Sequence, residues 1–193
     1  MEHIGEILIL QPNLILAEGK KDALPAIGSI LKTKSSSLQH YLVVVEQIVD
    51  SRIPGRFPQA YGLPEEKVEE EHPHFAFLLS WMFQVFPVLQ KRGNIFSIPD
   101  TLPKIHSLVY EVDDRELLSL YKTSNLVNIL FSLNEASFPK RNEIALKLLK
   151  KIISAVPEKE KSDAIYEIFS SLTRYFRNDY YSLRKIMREL EEL

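Results

Sequence analysis

Leu38-Gln39-His40-Tyr41-Leu42-Val43-Val44-Val45-Glu46-Gln47-Ile48-Val49 sets Leu38, Tyr41, Leu42, Val45, Ile48 and Val49 at three- and four-residue intervals, the spacing of one buried helical stripe. Ser35-Ser36-Ser37, just upstream, offers hydroxyls that accept from the free amides of a first helical turn. Strand alternation is scarce here and elsewhere in the chain. The segment therefore predicts a helix to Asp50, and everything around it is read in that light.

Upstream, Asp22 can cap a helix that carries Leu24, Ile27, Ile30 and Leu31, with Pro25 tolerated where first-turn amides have no intrahelical partner. The two helices form a predicted hairpin. Further back, Ile4 to Leu10 and Leu14 to Ala17 are broken by Pro12 and Gly19; both are read as short helical turns, with short strands as the alternative.

Downstream, Ser51 to Pro64 is dense in Pro and Gly, which forbids regular structure and predicts a long loop. An acidic turn from Glu65 to Glu71 leads through His72-Pro73-His74 into Phe75 to Leu89, apolar nearly all round and read as a central buried helix. It is too short for a membrane span of roughly 18 apolar residues, and Gln84 and Pro87 interrupt it. A short helix is expected from Lys104 to Tyr110, and another after the Asp113-Asp114 cap. The C-terminal third predicts four amphipathic helices near Ser124–Glu135, Pro139–Ala155, Lys161–Phe176 and Asp179–Glu192, punctuated by Pro139 and Pro157. The fold class is all-α. The chain reads as one domain over 1–193, and the 51–73 segment is where it would divide into 1–50 and 74–193.

Composition narrows function. The 193 residues contain no cysteine, which removes disulfides, thiolate metal sites and cysteine nucleophiles and favours the cytoplasm or nucleus. The opening Met1-Glu2-His3-Ile4-Gly5-Glu6 lacks a basic region before a long apolar one, so export is not expected. A formal charge of −2 supplies no bulk attraction to nucleic acid or anionic lipid.

Two resemblances bear on partners. Leu126, Ile129, Leu130 and Leu133 reappear 39 residues later as Ile165, Ile168, Phe169 and Leu172, and Ile144 and Leu148 reappear as Leu183 and Met187. A period near 40 with two helices per unit resembles HEAT or armadillo repeats, which implies a short solenoid whose concave surface binds a protein or peptide. Ile27 to Leu42, with Ser36, Ser37, Gln39 and His40 placed to face a groove, is similar to the helix-turn-helix of winged-helix regulators and implies DNA binding. That segment lacks the Arg or Lys a recognition helix presents to phosphates and guanines.

No Gly-rich phosphate loop, Gly-x-Ser-x-Gly elbow, His-Glu-x-x-His pair or dinucleotide motif occurs, so no catalytic residue, cofactor or metal is assigned. His72 and His74 beside Glu69, Glu70 and Glu71 carry ligand chemistry, but flanking Pro73 they do not share a helix face and are better read as a loop or cap. Thr173 to Lys185 interleaves basic and aromatic residues, as a stacking surface or an interface edge would. The expected function is a non-enzymatic adaptor or scaffold that binds another protein or peptide, with a helical DNA- or RNA-binding regulator as the alternative and homo-oligomerisation compatible with either. Phe57, Tyr61, Arg174, Arg177 and Tyr180 are the expected contact residues.

Overall fold

Residues Gln39–Ser51 form a β-strand, not a helix, in the computed structural model, which describes residues 2–11, 14–34, 38–52, 67, 71, 79–133 and 140–191. The reason is burial on both faces. Leu42 and Val44 enter one apolar cluster with Ile7, Ile15, Leu31, Phe83, Val85 and Val109. Tyr41, Val43 and Val45 enter another, shared with the helices. A strand covered on both sides loses its polar positions, and its period of two disappears from the sequence.

This strand is β4 of seven: β1 Gly5–Gln11, β2 Leu14–Gly19, β3 Ile30–Thr33, β4 Gln39–Ser51, β5 Leu79–Arg92, β6 Ile95–Ser97 and β7 Leu108–Glu111. The order β2-β1-β7-β3-β4-β5 closes on itself through pairing of β2 with β5, so six antiparallel strands make a barrel and β6 attaches beside β5. Closure satisfies the edges an open sheet would expose. Two bulges shape the long β4–β5 ladder. The register passes from Tyr41↔Leu89 to Leu42↔Pro87, and from Val44↔Val85 to Glu46↔Gln84, leaving Val88 and Val45 as extra residues that both join the helix-side cluster. Pro87 is accommodated beside the first bulge, where ladder bonding is already interrupted.

The barrel interior is narrow. A Cβ on Gly5 would lie 2.6 Å from the Glu18 carbonyl oxygen and 2.9 Å from the Phe83 ring, so glycine is what lets β1 pass this closely over the largest interior side chain.

Against the β3–β4–β5 side pack five helices: α1 Asp114–Ser124, α2 Leu126–Ser132, α3 Arg141–Ala155, α4 Glu158–Tyr175 and α5 Tyr180–Glu191. They lie where the periodicity places helices after Asp113. Leu117, Leu120, Leu126, Leu130, Phe131, Ile144, Leu148, Ile152, Ile168 and Leu172 share one core with Tyr41, Val43, Val88 and Leu89. Gly28, at φ 89°, brings the turn before β3 so close to α3 that a Cβ there would meet that of Lys147 at 2.8 Å.

These observations correct the all-α reading and both resemblances. The helices cap one side of a barrel instead of stacking as repeats, so the 39-residue register reflects only that the apolar faces of α2, α3, α4 and α5 meet one core. Ile27 to Leu42 is a turn, β3 and the start of β4, not a helix-turn-helix. The hairpin from Asp22 to Asp50 keeps only the single 3-10 turn Lys21–Ala23. The described part of the apolar helix expected over Phe75–Leu89 is β5, Lys104–Tyr110 runs into β7, and Leu14–Ala17 is β2. Strands β4 and β5, on either side of the segment at which the chain was expected to divide, pair from Gln39↔Lys91 to Ser51↔Leu79. Among the described residues no helix is long and apolar enough to cross a membrane.

Leu42 is fully buried inside the barrel, so Leu42→Ala should lower the unfolding free energy by about 2–5 kcal/mol. Urea denaturation followed by circular dichroism measures it; a cost below about 1 kcal/mol, the range of a surface change, would mean that the interior is not packed as described.

Candidate functional site

Two surfaces carry unusual chemistry. The first is the corner where α4 turns into α5. Phe176, buried, ends α4 and stacks edge-on against Phe131 at 5.3 Å and Tyr175 at 5.0 Å between ring centroids. With Phe176 held in the core, its neighbours Arg174 and Arg177 are exposed. Asp179 then starts α5: its carboxylate accepts from the Ser182 amide at 3.1 Å. Hydrogen bonds from Ser182 hold this exposed carboxyl below the usual carboxylate range, so the cap is ionised at neutral pH.

Past the cap, Tyr180 is 73% and Tyr181 82% exposed, and Arg184, Lys185 and Arg188 continue the outer face. Leu183, Ile186 and Leu190 face the core. Tyr181 and Lys185 also rim a groove of about 450 Å³ between α3 and α5, with Leu146 and Ile186 buried in it and Glu143 and Glu189 along it.

Of the expected contact residues, Arg174, Arg177 and Tyr180 come together at this corner. Phe57 and Tyr61 lie outside the described residues, as do His72, His74, Glu69 and Glu70. Tyr181, Arg184 and Lys185, part of the basic and aromatic run from Thr173 to Lys185, are exposed on the same helix as Tyr180 but are not among the expected contact residues. The signal for them was the run Tyr180-Tyr181 behind a capping Asp.

The second surface is one mouth of the barrel, crossed by residues 98–107. Two buried polar side chains tie this strap down. His40, 4% exposed, and Gln90, 3% exposed, are cross-strand partners on β4 and β5. The His40 Nε2–H donates to the Thr101 carbonyl at 3.0 Å. Gln90 accepts from the Asp100 amide at 3.2 Å and donates to the Ser97 hydroxyl at 3.0 Å. Burial of these groups is tolerable because each is hydrogen-bonded. His40 thus works inside the barrel mouth, not on a DNA-facing helix; Ser36 and Ser37, its expected companions, lie outside the described residues. On the far side of the strap, His106, at φ 64°, reaches the Glu6 carboxylate at 2.6 Å through Nδ1.

Among the described residues no group of three or more His, Cys, Asp or Glu side chains is arranged to hold a metal ion. Neither a known protein family nor a curated protein matches the chain. What the fold and these surfaces define is a closed β-barrel with a helical layer and an exposed cationic, aromatic corner.

Desolvation holds His40 below its ordinary pKa of 6.5, so between the lowered folded value and 6.5 the unfolded chain binds more protons. The contribution of the neutral ring is complete above 6.5 and lost as pH falls through that window. His40→Gln keeps a donor but cannot titrate. Urea unfolding at a series of pH values from neutral to acid should therefore show wild type losing stability relative to His40→Gln. A constant difference across the series would mean that His40 is not held neutral.

Proposed function

We propose that this protein is a non-enzymatic adaptor, and that the α4–α5 corner binds an acidic, apolar-anchored segment of a partner protein. One observation carries the reading: the first turn of α5 breaks the rule that the other long helices obey. Helices α1, α3 and α4 place Asp114 and Glu116, Glu143, and Glu158 and Glu160 in their first turns, where the helix dipole favours negative charge. Helix α5 has no acidic residue there, the negative charge at this end being confined to the Asp179 cap, and it presents Tyr180 and Tyr181 to solvent.

Tyrosine is a poorer helix former than Glu or Lys, and at these exposures it adds little to the core. A local choice that does not serve folding marks a site of contact. Tyrosine and arginine dominate interface energetics because both combine a rigid apolar surface with hydrogen-bonding capacity. Arg177, Arg184 and Lys185 supply the charge that selects an acidic partner, and the groove beside Tyr181 offers a seat for one apolar side chain.

The test is site-specific photocrosslinking from position 181 in a lysate of the source organism, followed by mass spectrometry. A discrete protein adduct is expected, and the isolated partner should bind about tenfold more weakly to Tyr180→Ala or to Arg177→Glu, a loss of roughly 1.4 kcal/mol. Adducts unaffected by either change would sink the reading. So would retention of single-stranded RNA or DNA at this corner that decays with salt, which would make the protein a nucleic-acid binder.

A further inference from the structure

The groove between the β3–β4 hairpin and the strap is the largest of the described cavities, about 620 Å³, within the range that holds small organic ligands. Its walls divide by chemistry. Leu38, Leu102, Ile105 and Leu108 line it as an apolar surface, and Leu102, Ile105 and Leu108 are each more than a third exposed. Lys34 and Lys104 line it as cations.

Among the described lining residues the charge is uncompensated. No Asp or Glu is among the described residues that line the groove. Lys34 lies 5.8 Å from the centroid of the Tyr110 ring, an attraction that leaves its full charge available to an anion. His106, also in the lining, is already engaged by Glu6. Two lysines beside exposed aliphatic side chains form a site that is apolar in body and positive at the rim.

We infer that this groove binds a small amphipathic carboxylate, with its hydrocarbon body against Leu102, Ile105 and Leu108 and its charge met by Lys34 and Lys104. Concavity favours a small molecule over a protein face: interfaces between proteins spread over a much larger area, whereas a ligand of this size is mostly enclosed by a cavity of several hundred cubic ångströms. A cationic ligand meets only repulsion, and a neutral one gains the apolar wall alone.

The experiment is displacement of the fluorescent dye anilinonaphthalene sulfonate from the full chain by three amphiphiles of equal length: decanoate, decanol and decyltrimethylammonium. Decanoate should displace the dye, decanol about tenfold less effectively, and the cation least. In the double variant Lys34→Glu/Lys104→Glu, decanoate should lose about tenfold in affinity or more. Both side chains are exposed, so the melting transition should stay where it is. A control reversal at Lys159, exposed on α4 and outside every groove described, should change nothing. Equal displacement by decanoate and decanol overturns the proposal, as does charge reversal without effect on decanoate. Absence of a dye signal together with no decanoate-induced rise in melting temperature also overturns it.

Discussion

From Tyr41 to Val45 strand β4 presents no side chain to solvent, and this two-sided burial joins the two halves of the molecule. Leu42 and Val44 complete the barrel interior, while Tyr41, Val43 and Val45 form the floor on which the helices rest. Each such side chain contributes about 1.5–3 kcal/mol relative to exposure, but only if both layers form. A barrel without helices would expose Tyr41, Val43, Val45, Val88 and Leu89. Helices without the barrel would lose the surface against which Ile144, Leu148 and Leu117 pack. The bulges at Val45 and Val88 reinforce the dependence, since each directs an added apolar residue to the helix side.

The same burial explains what was legible in the sequence. After Asp113 each helix has one wet face and one dry face, so periodicity, the Asp113 cap and the proline breaks placed the helices well. In the barrel the period-two signal was erased where it mattered most. Tyr41-Leu42-Val43-Val44-Val45 is apolar throughout, and the bulges shift the alternation once in β4 and once in β5. The β-branched run Val43-Val44-Val45 was the surviving strand signal, outweighed by accidental three- and four-residue spacings. Closure was harder still: the pairing of Ile15 with Val85 joins strands far apart in sequence, and no local pattern announces it. Arg174, Arg177 and Tyr180 share one corner because they lie within seven residues of each other across the turn from α4 to α5, a closeness already visible in the sequence.

The two mouths of the barrel are closed by polar chemistry of different depth. At the end where β4 meets Leu79, Arg52 donates to the Leu79 carbonyl at 2.9 Å and pairs with Glu18 at 2.7 Å, in reach of water and therefore weakly stabilising. At the other end His40 and Gln90 are buried, and an unmade hydrogen bond there would carry the desolvation penalty of an orphaned polar group. The strap is thus held by its backbone, through Asp100 and Thr101. Its apolar side chains Ile98, Leu102 and Ile105 are left exposed, which is how a segment fixed for structural reasons comes to offer an apolar wall to a ligand.

The tyrosines divide between buried ties and exposed rings along the chain. Tyr41 donates to Glu116 at 3.1 Å, and Tyr121 donates to Glu167 at 3.1 Å. Burial first, and then the neighbouring carboxylate, push both phenols above their ordinary pKa, so each remains a proton donor throughout the accessible range. Both tie one element to another: β4 to α1, and α1 to α4. Among the described residues the exposed tyrosines are Tyr166, Tyr175, Tyr180 and Tyr181, all on α4 or α5. Tyr175 is braced from within by Phe131 and Phe176; Tyr180 and Tyr181 stand free of the core on a helix fixed by Leu183, Ile186 and Leu190. A rigid helix carrying solvent-facing aromatic rings loses little conformational entropy when those rings are covered. The partner-binding role proposed for the α4–α5 corner would draw on that saving, on a layer that the barrel supports from the opposite side.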